Sequence, residues 1–175
     1  MKFKILNNIE KQTYSEKILS LLEEYDGDFV PPLSSRSSTT QKNLIGKENR
    51  QNGVKSYFSE MINQKILAVF IDDIFSGFVS FKENYSSEFI DQKYIPNIYL
   101  STLILDKSTR GKGVTKKMYD YLFNTLYKDA NIFTRTWSTN FAHIKILSSF
   151  DFINYLTISN DRGDGIDTVY FRKLR

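Results

Sequence analysis

The chain has 175 residues, with 24 Lys and Arg against 20 Asp and Glu, one His and no Cys. At 41% hydrophobic, with 14 Phe and 11 Tyr, it can fill one sizeable core and lacks the composition of a disordered chain. The missing Cys excludes disulfides, thiolate zinc sites and a cysteine nucleophile, and the lone His143 excludes HExxH and other multi-His metal sites. No GxSxG surrounds a serine. No run approaches the ~18–20 apolar residues of a membrane span, and the opening residues break off too soon for a signal-peptide core. The expectation is a soluble, cytoplasmic domain with no metal and no membrane partner.

Lys2–Leu6 alternates polar and apolar, as a strand does. Thr13-x-x-Glu16 reads as a capping box, and Tyr14, Ile18, Leu21, Leu22 and Tyr25 recur behind it at helical spacing, predicting a helix to about Glu24 ended by Asp26-Gly27-Asp28. Pro31–Gly53 is polar, with only Leu33, Leu44 and Ile45 apolar; a connection this long is either functional or disordered. Val54, Tyr57, Phe58 and Met61 share a helical face within Val54–Asn63. The period then changes. Lys65–Ile71 and Ile74–Lys82 are β-branched and aromatic runs either side of Asp72-Asp73, a hairpin pattern, and Ile98–Leu105 follows as a third strand after the loop Glu83–Pro96.

Val114, Met118, Tyr121, Leu122 and Leu126 predict an amphipathic helix. Asn131–Trp137 is a strand, Asn140–Phe150 a helix with Ile144 and Leu147 inward, and Ile153–Ser159 with Ile166–Lys173 a closing antiparallel pair. The turn Asn160–Asp167 lacks the acidic spacing of a calcium loop and reads as a glycine hairpin turn, its Asp residues candidates for bordering a pocket. The sum is one α+β domain over 1–175, built on a mixed sheet.

The stretch most suited to chemistry is Ile98–Thr115, where a strand leads through Arg110-Gly-Lys-Gly113 into a helix. Paired glycines admit unusual backbone conformations and clear space for a ligand. The free N–H groups of the following helix suit a phosphate. The bland alternative is a tight strand-to-helix turn. The Walker pattern is absent, since Gly46-Lys47 is followed by Glu48, and Lys116 stands where the third glycine of GxGxxG belongs.

Arg110-Gly-Lys-Gly-Val-Thr115 resembles the Arg/Gln-x-x-Gly-x-Gly/Ala signature of the GNAT superfamily of acyl-CoA-dependent N-acyltransferases. Asn140-x-x-His143…Phe150-Asp-Phe152 is similar to that family's Asn-x-x-Ala…Leu-Gly-Phe ending. The resemblance is densest over about 98–152 and agrees in element order over the whole chain. It implies a GNAT-like fold: a mixed, mostly antiparallel sheet of about seven strands flanked by about four helices. It implies acetyl-CoA as acyl donor, no metal, and a small-molecule amine, such as an amino sugar or amino acid, as acceptor. Backbone groups of Arg110, Gly111, Lys112, Gly113, Val114 and Thr115 would hold the pyrophosphate, the strand around Leu103, Ile104 and Leu105 would pair with pantetheine and polarise the thioester carbonyl, and the Asn140 side chain would touch the cofactor. Thr115 and Asp151 replace small residues of the family, and Leu147 stands where a tyrosine proton donor is frequent.

His143 shares a helix face with Asn140 and Leu147, which makes it the candidate catalytic group; a structural histidine is the alternative. Glu83, Ser148 and Ser149 are further candidates for proton transfer. Tyr99, Ser101 and Trp137 are candidates for an acceptor pocket. In the GNAT layout Pro31-Pro-Leu-Ser-Ser-Arg36 overhangs that pocket, where Arg36 is suited to grip an oxyanion; a mobile polar loop is the bland reading. Competing functions are a protein or peptide N-acetyltransferase, a non-catalytic acyl-CoA-binding module, and a nucleic-acid binder suggested by the basic balance. Charge position disfavours nucleic acid: Lys107–Lys128 holds six basic residues against Asp120 alone, and the remainder is slightly acidic. Monomer and homodimer both stay open.

Overall fold

A computed structural model describes residues 1–44 and 52–175. Seven strands form one sheet: β1 Lys2–Ile5, β2 Lys65–Ile71, β3 Ile74–Glu83, β4 Asn97–Leu105, β5 Asn131–Trp137, β6 Ile153–Ile158 and β7 Thr168–Lys173. Their spatial order is β1-β2-β3-β4-β5-β7-β6. Every neighbouring pair is antiparallel except β4 with β5, which run parallel. The helices are α1 Asn8–Thr13, α2 Ser15–Glu24, α3 Val54–Met61, α4 Val114–Tyr121 and α5 Phe141–Ser148.

The sheet is covered on both faces, which is why β2 and β3 read as near-continuous apolar runs. One face packs Leu67, Val79, Phe81 and Leu100 against Met118, Leu122 and Phe123 of the α4 region and Leu147 of α5. The other packs Ile66, Ala68, Phe78 and Ile104 against Ile18, Leu21 and Leu22 of α2 and Tyr57 and Met61 of α3. Burying each such large side chain contributes about 1.5–3 kcal/mol, so the helical periodicities translate directly into docking.

Three expectations change. The capping box sits at Asn7, not at Thr13: Asn7 Oδ1 accepts from Glu10 N–H at 2.9 Å and Glu10 Oε2 accepts from Asn7 N–H at 3.1 Å. The first predicted helix is therefore two, α1 and α2, broken at Tyr14, whose backbone leaves helical geometry. The helix through Leu126 is α-helical only to Tyr121; Leu122–Leu126 is a π turn closed by Tyr127 N–H on Leu122 O. The described part of the polar connection is well packed, with Leu33, Ser34, Ser35, Arg36, Thr39, Gln41 and Leu44 buried. Ile45 and Gly46-Lys47-Glu48 lie outside the described residues.

Candidate active site

Two irregularities open the sheet at its centre. β4 pairs with β5 only over Asn97–Leu100 against Asn131–Thr134, although both strands continue. In the same place β4 bulges against β3: Ser80 pairs with Thr102 and Phe81 with Leu100, leaving Ser101 as the extra residue. Asp106 N–H donates to Ser76 O at 3.0 Å, which sets the phase of the antiparallel ladder. By alternation, Thr102 and Ile104 bond to β3, while Leu103 and Leu105 turn N–H and C=O into the gap. Gly77 lets β3 approach this edge: a Cβ there would meet Ile104 O at 2.4 Å and Leu105 Cα at 2.9 Å, at a φ of +147°.

A cavity of about 780 Å³ fills the gap, and its wall takes residues from both faces of the sheet. On the α4–α5 side lie Arg110, Gly111, Gly113, Val114, Thr115, Tyr119, Asn140 and His143; on the α2–α3 side lie Phe29, Arg36, Thr39, Arg135, Trp137 and Arg162. Leu103, Ile104, Leu105 and Ser101 form the span between.

The loop before α4 has a backbone form that suits an anion. Gly111 and Gly113 hold φ of +74° and +70° with open space where a Cβ would stand. Arg110 N–H is taken by Lys107 O at 3.2 Å, and Lys117 N–H donates to Gly113 O at 3.1 Å; the first turn of α4 between them has N–H groups that an α-helix leaves without an intrahelical partner. The Arg110 side chain does not extend into this space. It donates to Leu105 O at 3.1 Å, pairs with Asp28 at 2.9 Å and stacks over Tyr25 at 4.5 Å, bracing the loop against the end of β4. Lys112 is exposed and lies off the cavity wall. Asn140 caps α5, accepting from His143 N–H at 3.3 Å and donating to Thr136 Oγ1 at 3.0 Å.

His143 Nε2 lies 2.9 Å from Tyr119 Oη. Burial pushes the imidazole down to about 4, so it is neutral at pH 7, and burial also raises the Tyr119 phenol. Leu147 is fully buried in the core. Tyr119 was not a sequence candidate. Its position beside Met118 on α4 matches core spacing, and its ring packs against Phe123 and Phe150, so residue type gave no sign of a polar partner.

Other candidates lie elsewhere. Tyr99 faces an aromatic cluster with Ile90 and Phe133 and is absent from the wall of the main cavity, although it shares the α3-side face of β4 with Ser101. Ser101 is at the wall, donating to Gln64 Oε1 at 2.6 Å. Gln64 Nε2 in turn donates to Thr39 Oγ1 at 2.8 Å, tying the bulge to the packed segment after Arg36. Glu83 accepts from Tyr127 Oη at 2.5 Å and is not on the wall. Ser149 Oγ donates to Ile146 O, and neither it nor Ser148 reaches the cavity. In the turn after β6 it is Arg162, not an aspartate, that lines the cavity.

No family model matches the chain, and no curated protein matches it in sequence. Solved structures do match in fold. yncA from Salmonella typhimurium, solved with its cofactor acetyl-CoA, aligns with a TM-score of 0.65 at 13% identity over 99% of this chain and 93% of its own. Ribosomal-protein-alanine N-acetyltransferase from Brucella melitensis aligns at 0.66 and 13% over all of both chains. Aminoglycoside 6'-N-acetyltransferase from Enterococcus faecium aligns at 0.66 and 12% over 99% and 96%. The chain has the GNAT fold. At these identities the likeness is one of architecture, and the named neighbours range from a ribosomal-protein-alanine to an aminoglycoside N-acetyltransferase.

Proposed function

We propose that the chain is an acetyl-CoA-dependent N-acetyltransferase that acetylates a primary amine of a small molecule of amino-sugar or amino-acid type. The observation that carries this is the cavity through the splayed β4–β5 pair, with the anion-suited loop at one end and a walled pocket at the other. The residues fit the donor: the N–H groups of the first turn of α4 suit a pyrophosphate, and the β4 edge that β5 leaves at Leu103, with the Leu105 N–H, suits the amides of pantetheine, Leu105 O being taken by Arg110. Among the described residues no His, Asp and Glu group suits a metal.

Acetyl-CoA, when bound, would supply a thioester; a neutral amine would form the C–N bond as the C–S bond breaks, the nitrogen giving one proton to water and the sulfur taking one from Tyr119. The chain's part is positioning and fixed dipoles: the β4 N–H groups are oriented toward the gap before any charge develops there. Tyr119 and His143 handle the proton for the departing sulfur. Tyr119 keeps its proton at pH 7 because burial raises it. In the tautomer protonated at Nε2, His143 donates to Tyr119 Oη and leaves the phenol O–H free to point at the sulfur. The buried Leu33–Arg36 segment supports a small acceptor over an open peptide groove.

The test is release of free thiol from acetyl-CoA across a panel of amines. Turnover with a small amine is expected. Tight acetyl-CoA binding without any turnover overturns the enzyme reading in favour of an acyl-CoA-binding module, and preference for a peptide N-terminus overturns the small-molecule reading.

A further inference from the structure

Three arginines from distant parts of the chain converge on the acceptor end of the cavity: Arg36 after the Pro-Pro turn, Arg135 on β5 and Arg162 in the β6–β7 turn. Arg36 is 5% exposed and Arg162 6%. Among the described residues none of the three has a carboxylate within 4 Å. Their bonds are all to neutral acceptors. Arg36 donates through Nε and Nη2 to Pro31 O, at 3.0 and 2.6 Å. Arg135 donates to Tyr170 Oη at 3.2 Å and Gln41 O at 2.6 Å. Arg162 donates to Thr168 Oγ1 at 2.9 Å and Val30 O at 2.5 Å.

The nearest acids are engaged elsewhere: Asp26 takes the Ser34 N–H and hydroxyl, each at 2.7 Å, and Asp161 takes the Thr168 hydroxyl. The guanidiniums also feel one another. Burial, then the charges of Arg36 and Arg135, push Arg162 down to about 9, which leaves it protonated at pH 7.

Buried cations without counter-charge are costly to keep, and a protein normally pairs them. Here each is locked by neutral carbonyls and hydroxyls. Among the described residues Arg36 Nη1 and Arg162 Nη2 have no hydrogen-bond acceptor, yet neither is a sealed orphan; both residues line the cavity. Guanidinium forks match carboxylate and phosphate oxygens in shape and charge. Trp137 and Phe29, ring centroids 6.0 Å apart, supply an apolar wall beside them.

We infer that this end of the cavity is an oxyanion subsite, and that the acceptor is an amine bearing carboxylate or phosphate groups, not a neutral or polycationic amine. This rests on the acetyl-transfer reading for the word acceptor, but the anion subsite is testable without it.

The experiment uses protein saturated with CoA, so that the loop before α4 is occupied. Inorganic phosphate and malonate are titrated separately by calorimetry, which distinguishes phosphate from carboxylate. At least one is expected to bind in the millimolar range or tighter and to raise the melting temperature; no binding by either overturns the proposal. Arg162→Gln and Arg135→Gln should each weaken that binding at least tenfold while CoA affinity stays within twofold; unchanged anion binding in both folded variants overturns it.

Turnover is then compared for aspartate, O-phosphoethanolamine, ethanolamine and a polyamine. At least a hundredfold preference in kcat/KM for an anionic amine is expected, and preference for the polyamine overturns the assignment. Anion binding that is lost in the variants, without turnover of any amine, supports the subsite and counts against the transfer reading alone.

Discussion

At the residue scale, His143 shows how position can be read from sequence while state cannot. Its spacing from Asn140 puts it on the helix face that meets the cavity, as the i, i+3 relation requires. Its neutrality comes from burial against Tyr119, a partner 24 residues away. Because the chain has a single histidine, proton NMR of its ring follows this group without assignment. The expected midpoint is about 4; one near the ordinary 6.5 overturns the buried geometry. The sign for stability follows. The unfolded chain takes up the proton near pH 6.5 and the folded chain only near 4, so stability is full above 6.5 and falls between 6.5 and 4. The loss is on the order of 1–3 kcal/mol, and His143→Gln should flatten that part of the urea-denaturation profile.

At the element scale, the strand β4 carries the site because it is imperfect. Its bulge at Ser101 and its parting from β5 after Leu100 free the edge at Leu103 and Leu105. Gly77 permits the close approach of β3 behind that edge. Gly77→Ala should therefore cost about 2–4 kcal/mol in urea denaturation and weaken acetyl-CoA binding, since the new methyl displaces Ile104 and Leu105. Gly27→Ala, with nothing within 4 Å of the added carbon, should stay within about 0.5 kcal/mol. Equal effects at both glycines would refute the role given to Gly77.

At this scale the sequence was legible where burial follows a period. Apolar spacing located α2, α3 and the strands to within a few residues, because a helix or strand shows its periodic face to the core whatever the rest of the chain does. The capping box was misplaced because Thr13-x-x-Glu16 has the right residues, and only the backbone decides that Asn7 and Glu10 make the reciprocal bonds. Tyr99 shares its face with Ser101 as alternation requires, but it packs against Ile90, Phe133 and Tyr85, contacts from a distant loop and strand that alternation does not reveal.

At the scale of the whole molecule, charge is divided between the two ends of one cavity. Of the basic residues between Lys107 and Lys128, Arg110 and Lys116 line the cavity, although Arg110 spends its charge on Asp28. The acceptor end holds three arginines that no stretch of sequence displays together. Under the proposed function, acetyl-CoA at a hundred times its dissociation constant should stabilise the fold by about 2.7 kcal/mol, a melting shift of about 5–10 °C. Its affinity should fall severalfold as salt rises from about 50 to about 500 mM. A melting curve indifferent to acetyl-CoA would overturn the assignment of the loop.

The sequence by itself determined the element order, the glycine loop ahead of α4 and the exclusion of thiol and multi-His metal chemistry, because these depend on residue identity and short-range spacing. Only the tertiary structure decided which side chains face the cavity. Arg36, Arg135 and Arg162 lie up to 126 positions apart and are brought together by strand order, which sets the β6–β7 turn beside β5, and by the packing of the segment after α2. Tyr119 and His143 meet because α4 and α5 pack on the same face of the sheet. Contact between distant segments is a property of the packed sheet, and no local pattern encodes it.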